Sequence, residues 1–328
     1  MIFAEYNYEI FNIKNDEEYH KYVEQAIEIQ LNKNEIYHKF TQLLNRRWIS
    51  KTSFIPVFLP ISFFKTHIIL NTGLTPIGSF ESSGTSGQDL SKHYYSNLTT
   101  YQDSFNKGFE LFYGPAKNVC IIALLPSYME RENSSLIYMA NHLIKKSENN
   151  ESGFFLENIK DLPAKLDAIT TKGSKVLLLG VTYALLDLIE NQKINLSGHI
   201  VMETGGMKGR RKEMIRTEVH EKLKKGFNVT SIHSEYGMTE LFSQAYSASD
   251  GRFRCPPWMR VTITNLHDPF ATVPFGTTGR INVTDLANIQ SCPFIATDDL
   301  GRAYPDGSFE VLGRMDNSEL RGCNLMVY

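Results

Sequence analysis

Apolar positions along this chain follow two periods, and the switch between them marks out the elements. Between Asn15 and Gln30, Tyr19, Tyr22, Val23, Ala26 and Ile27 recur three and four apart, which predicts a helix with one buried face. Asn15 is placed to cap it and Glu18 sits where a capping-box acid belongs. A second helix is predicted over Glu35 to Arg46, followed by the apolar, proline-punctuated stretch Lys51 to Leu70. Lys92-His93-Tyr94-Tyr95 is expected to open a helix carrying Tyr101, Phe105, Phe109 and Phe112 on one face, an aromatic stripe that reads as core packing. The unbroken apolar run Asn118 to Leu125 predicts a strand buried on both faces. A turn at Pro126-Ser127-Tyr128 then leads to a helix near Ser134 to Lys146. Further strands are expected at Lys175 to Leu179, His199 to Glu203 and Asn228 to Ile232, with helices at Thr182 to Asn191 and Arg210 to Lys225 between them.

Strand alternating with helix argues for a doubly wound α/β layer whose chemistry lies at the carboxyl ends of its strands. From about Arg252 the texture changes to short β-rich runs, Trp258 to Thr264, Gly279 to Val283 and Phe309 to Leu312, which suggests a smaller β subdomain. The expected subdivision is therefore a helical region over about 1–70, an α/β core over 71–250, and a β-rich part with a C-terminal tail over 251–328.

Composition narrows the function classes. A net charge of -2 gives no electrostatic case for nucleic-acid binding. Met1 to Lys21 lacks the basic-then-apolar pattern of a signal peptide, and apolar runs such as Ser53 to Phe64 are too short to span a bilayer. Cys120, Cys255, Cys292 and Cys323 are scattered, with neither zinc-ligand spacing nor a disulfide framework, so a cytoplasmic location is expected.

The candidate chemistry centres on Gly78-Ser79-Phe80-Glu81-Ser82-Ser83-Gly84-Thr85-Ser86-Gly87-Gln88. Small residues let backbone N–H groups crowd around an anion and hydroxyls add donors, although such a run also occurs as a plain loop. It is not a Walker A loop, because no Gly-Lys-Ser/Thr follows. Four more stretches accompany it: Glu203-Thr204-Gly205-Gly206, Tyr236-Gly237-Met238-Thr239-Glu240, Thr297-Asp298-Asp299-Leu300-Gly301-Arg302, and Gly313-Arg314-Met315-Asp316 running on to Arg321-Gly322-Cys323. In order and spacing the five together resemble the adenylate-forming superfamily of acyl-CoA synthetases, peptide-synthetase adenylation domains and luciferases, from about Ser79 to Cys323. Within it the chain is most similar to the acyl-protein synthetases, the fatty-acid-activating subunits of the bacterial luminescence reductase complex. Phe80 to Gly87, the run Leu124 to Met139 and the Arg-Gly-Cys near the end carry that likeness; phenylacetate-CoA ligases are more distant.

The resemblance implies one adenylation-type domain over 1–328, built as the large N-terminal domain of these enzymes without their C-terminal lid. It also implies roles. Ser82, Ser83, Gly84, Thr85, Ser86 and Gly87 match the loop that holds the leaving pyrophosphate of ATP, with Gln88 where many members carry Lys. Gly205 and Gly206 match the turn that lets backbone approach the base, and Tyr236 the aromatic against adenine. Thr239 matches the residue that bonds the α-phosphate, and Glu240 the acid that helps hold Mg²⁺. Asp299, preferred over Asp298, matches the carboxylate on the ribose hydroxyls, and Arg314 the cation near ribose and α-phosphate. With the lid goes the lysine it supplies; Lys208, Arg210 or Arg211 either substitutes or is a solvated helix start. Cys323 is either the acyl acceptor that acyl-protein synthetases carry near the C-terminus or a structural thiol. Tyr128, Ser134, Ser135 and Met139 either line the acyl pocket or form a turn and packed helix.

The expected function is ATP- and Mg²⁺-dependent activation of a carboxylic acid, a fatty acid in the first instance, to acyl-AMP. Transfer to a thiol follows, preferably Cys323, and then to a partner protein, a reductase or a carrier. The alternatives are an acyl-CoA ligase of the phenylacetate type, delivering to coenzyme A, and a non-catalytic acyl- or nucleotide-binding subunit.

Overall fold

The computed structural model describes residues 9–44, 48–50, 55–82, 90–125, 133–155, 159–205 and 214–315. Contacts divide the chain into two compact units, one made of Thr75–Pro256 and the other of Met1–Leu74 with Pro257–Tyr328.

The Thr75–Pro256 unit is built on a six-stranded sheet. Cys120–Leu124 is its first strand and is wholly buried, as its apolar run requires. The chain passes through helix Ser135–Lys146 to the short parallel strand Gly153–Phe154 on one side. It then returns through helix Leu162–Thr171 to Val176–Val181 on the other side of Cys120–Leu124. Helix Thr182–Asn191 leads outward to Ile200–Thr204, and helix Arg216–Phe227 leads to His233–Tyr236, all parallel. Ala245–Ser247 closes the edge antiparallel to His233–Tyr236. Strand order reverses beside Cys120–Leu124, so this is the doubly wound layer expected, with its ligand face at the carboxyl ends of the strands.

Four local expectations need correction. Lys92–Tyr95 is a strand, not the opening of a helix; it pairs antiparallel with Gly78–Glu81, and the helix over the aromatic stripe begins only at Thr99. The reason is tertiary, since Phe80 faces His93 in that pairing and both are buried. Gly78–Glu81 is accordingly strand rather than loop. The helix expected from Arg210 starts at Arg216, because Ile215 is still extended. The strand expected at Asn228 to Ile232 lies later, at His233–Tyr236, because Asn228 adopts the left-handed conformation that ends the preceding helix.

The other unit carries Asp16–Lys33, capped by the Asn15 side chain on Glu18 N, and Glu35–Leu43, capped by Asn34 on Tyr37 N. Its sheet runs Met259–Thr264, Gly279–Asp285, Phe294–Ala303 and Phe309–Arg314 in antiparallel order, with Leu59–Pro60 added in parallel beside Phe294–Ala303. Three buried amides hold the connection between Gly279–Asp285 and Phe294–Ala303: Gln30 and Asn71 donate to the Ile289 carbonyl at 2.9 and 2.7 Å, and Asn34 donates to the Ser291 carbonyl at 2.8 Å. Buried amides carry this load only when paired, and here they are. Among the described residues no helix is long and apolar enough to cross a membrane.

Candidate functional site

In the Thr75–Pro256 unit the site is built where two neighbouring parallel strands end. Thr204 and Glu235 are register partners, so the turn beginning at Gly205 and the turn beginning at Tyr236 emerge side by side. Gly205 takes a positive φ of 69°, which a side chain would resist. Tyr236 is buried and meets Phe253 edge to face at 5.9 Å between ring centroids. A side chain at Gly237 would press on the Glu235 carboxylate and come within 3.3 Å of Gln244 Cγ, so either side chain would have to shift to admit it. The turn closes with Leu241 N–H on the Met238 carbonyl at 3.1 Å, while the Thr239 carbonyl accepts from His93 Nδ1 at 2.9 Å. Glu240 is buried.

Ser82 lies at the base of the hairpin Gly78–Glu81/Lys92–Tyr95, where its Oγ accepts from Ser91 N–H at 3.0 Å and its N–H donates to the Ser91 carbonyl at 3.0 Å. Ser134 caps helix Ser135–Lys146 by accepting from Ile137 N–H at 3.3 Å, and the Ser135 carbonyl accepts from Tyr101 at 2.9 Å. Met139 lines an enclosed space of about 10 Å³, with Phe109, Leu177, Met202, Tyr246 and Glu235 among its walls. Ser83, Gly84, Thr85, Ser86, Gly87, Gln88, Tyr128, Gly206, Lys208, Arg210, Arg211 and Cys323 lie outside the described residues.

In the other unit, strand alternation separates the two acids of the Thr297–Arg302 stretch: Asp298 is exposed and Asp299 is buried. Asp299 is the register partner of Arg314, and Arg314 Nε stands 3.5 Å from its Oδ1. The Arg314 side chain is 77% exposed against 12% for Asp299, so its guanidinium remains open to an anion. Thr297 Oγ1 steadies the strand by accepting from Asp299 N–H at 3.1 Å and donating to the Ile281 carbonyl at 2.7 Å.

Sequence reading assigned no role to the polar cluster beneath the two turns. Glu203 Oε1 accepts from Arg216 Nη1 at 2.7 Å and from Ser234 Oγ at 2.8 Å, with His220 Nε2 at 3.5 Å; Oε2 accepts from Thr182 Oγ1 at 2.6 Å. Burial pushes the Glu203 carboxyl up, but the His220 bond, the Arg216 charge and the Thr182 bond outweigh it and hold the group at about 2, against an ordinary 4.5. One residue past its partner Ser234 stands Glu235, bonded by the Thr204 hydroxyl. Burial raises Glu235 to about 7; the Thr204 bond opposes this and the Glu203 charge adds to it. Two buried acids on adjacent strands are thus shifted in opposite directions, because the donors surround only one of them. The legible signal was an acid closing a run of otherwise apolar strand residues, Ile200-Val201-Met202-Glu203. His233, by contrast, packs on Tyr113, with Nδ1 3.3 Å from its hydroxyl, and burial lowers its pKa.

This architecture is that of adenylate-forming enzymes. Over 72% of its length the chain is similar to ATP-bound MatB from Rhodopseudomonas palustris, at 17% identity and a TM-score of 0.53, covering 47% of that chain. It is similar over 75% to a long-chain-fatty-acid-CoA ligase, FadD1, from Archaeoglobus fulgidus, at 15% identity and a TM-score of 0.53, covering 52% of that chain. It is also similar over 72% to the O-succinylbenzoate coenzyme A synthetase MenE from Bacillus subtilis with ATP and magnesium, at 17% identity and a TM-score of 0.50, covering 49% of that chain. The chain thus spans about half the length of the solved structures it matches. A search of curated protein sequences returns no match. The family model described as acyl-protein synthetase, LuxE, matches residues 1–328, and the chain belongs to that family.

Proposed function

We propose that this protein activates a carboxylic acid with ATP and passes the acyl group to a thiol. The observation that carries the reading is the pairing of Thr204 with Glu235, which sets the glycine turn and the Tyr236–Glu240 turn next to each other at the carboxyl edge of the sheet. Membership of the acyl-protein synthetase family supports it, as do neighbours solved with ATP and with magnesium.

In this reading Tyr236 lies against adenine, the Gly205 and Gly206 backbone approaches the base, and Thr239 bonds the α-phosphate. Ser82, Ser83, Gly84, Thr85, Ser86 and Gly87 hold the departing pyrophosphate. Asp299 accepts the ribose hydroxyls and Arg314 balances charge near the α-phosphate. Among the described residues no cluster of His, Cys, Asp or Glu is able to hold a metal alone. Mg²⁺ is commonly held by one or two carboxylates completed by substrate phosphates and water, and Glu240 is the carboxylate assigned here. When bound, Mg²⁺ supplies charge neutralisation at the phosphates.

The substrate carboxylate oxygen attacks the α-phosphorus, the bond to the bridging oxygen breaks, and pyrophosphate leaves. A thiolate then attacks the acyl carbon and AMP leaves with the carboxylate's former oxygen. The acid activated is a fatty acid, and Cys323 is the first acceptor. A reductase or carrier partner takes the acyl group from it, in the cytoplasm.

The test uses the full chain with ATP, Mg²⁺ and labelled tetradecanoic acid. The expected result is ATP-dependent protein label that neutral hydroxylamine removes and that Cys323→Ala abolishes. Pyrophosphate exchange without label moves the acceptor off Cys323, and coenzyme A-dependent AMP release without label makes the protein a ligase. Absence of both exchange and AMP release overturns the activity.

A further inference from the structure

We propose that Arg216 is a positioning residue for nucleotide binding, setting the Tyr236 ring through Phe253 while Glu203 holds the guanidinium in place. The inference rests on Tyr236 being the base-facing aromatic of the reading above.

Arg216 is the first residue of its helix, and its side chain leads back to the strand ends. One Nη1 reaches Glu203 at 2.7 Å and Ser234 Oγ at 3.3 Å. The guanidinium carbon lies 5.1 Å from the centroid of the Phe253 ring, within cation–π range. Phe253 is fully buried and meets Tyr236 edge to face at 5.9 Å. One planar cation is therefore clamped between a buried carboxylate and the ring that backs the aromatic of the turn.

The surrounding backbone is shaped to admit it. Gly251 has a φ of 67°, and a Cβ there would sit 2.8 Å from Arg216 Cδ, so a side chain at 251 would displace the arginine. Tyr246 and Arg254 exchange backbone hydrogen bonds of 3.1 and 2.8 Å and pin the loop that carries Phe253. On the other side, Thr182 Oγ1 joins Glu203 at 2.6 Å and reaches the Gly205 carbonyl at 3.4 Å. The cluster thus touches both turns at once. A charge needed only for solubility would have no use for a buried carboxylate, a stacked ring and an obligatory glycine together.

Arginine is suited to this where lysine is not: its plane stacks on a ring while its N–H groups keep the ion pair. The deciding experiment compares Arg216→Lys, Phe253→Leu and Tyr236→Leu, alone and combined, by ATP–pyrophosphate exchange and by calorimetric ATP titration. Arg216→Lys and Phe253→Leu are each expected to raise KM and Kd for ATP about five-fold, with kcat and the KM for the acid unchanged, because base stacking is uniform binding. In the Tyr236→Leu background neither change should weaken ATP further. If Arg216→Lys lowers thermal stability but leaves ATP affinity at the wild-type value, or weakens it equally with and without Tyr236, the positioning role is wrong. If Tyr236→Leu itself binds ATP as the wild type does, the error lies in the reading of Tyr236, and the role of Arg216 goes with it. Should Arg216→Lys not fold, Phe253→Leu and Phe253→Tyr decide alone, with Tyr restoring the affinity that Leu loses.

Discussion

Replacing Glu235 with Gln removes a buried acid that titrates near neutrality while keeping its shape and its ability to accept from Thr204. In the folded protein this carboxyl is raised from 4.5 to about 7, chiefly by burial and further by the charge on Glu203, against the Thr204 bond. The folded state therefore holds a proton that the unfolded state releases between those two values. Stability must fall as pH rises across that window, by about 1.4 kcal/mol per unit and about 3 kcal/mol in all. Glu203 shifts the opposite way, to about 2, so the stability it contributes is present above 4.5 and is lost only as pH falls towards 2. The two windows do not overlap, and between pH 5.5 and 8 the difference between wild type and Glu235→Gln isolates Glu235. Urea midpoints followed by tyrosine and tryptophan fluorescence across that range measure it. The variant is expected to gain on the wild type as pH rises towards about 7, with the gain levelling off above that, and to be the more stable protein at pH 8. A difference that stays constant from pH 5.5 to 8 would refute the claim that Glu235 is buried with its proton.

Two further outcomes are expected. Gly226 packs so closely on the neighbouring helix that a Cβ would lie 2.6 Å from Ile189 Cβ, so Gly226→Val should cost about 1–3 kcal/mol, read as a lower thermal midpoint; an unchanged midpoint would show that the helices separate freely. Glu240→Gln should lower pyrophosphate exchange about a hundred-fold and raise the Mg²⁺ concentration needed for half-maximal rate. An unaltered Mg²⁺ dependence would take Glu240 out of metal binding.

Local pattern alone was enough for elements whose stabilising groups are near in sequence. The Asn15 cap with the apolar face from Tyr19 to Ile27 marks the first long helix, and the run around Cys120–Leu124 marks a strand with no polar side to turn to water. The five glycine- and acid-bearing stretches were visible too, because their small and charged residues stand out by type and spacing whatever the rest of the chain does. What the sequence could not decide was anything set by a distant partner. Lys92–Tyr95 has an aromatic content that suits helix or strand, and only its pairing with Gly78–Glu81 settles the matter. Asp298 and Asp299 are equal as letters; the strand pleat buries one beside Arg314 and exposes the other. Glu203 and Glu235 are likewise the same residue at the ends of similar strands. Tertiary structure brings Arg216, His220, Ser234 and Thr182 around the first and leaves Thr204 for the second, so the first is held below the ordinary carboxylate range and the second above it. Hydrogen bonding and burial act over ångströms in space, and the groups that supply them here come from elements up to dozens of residues apart along the chain.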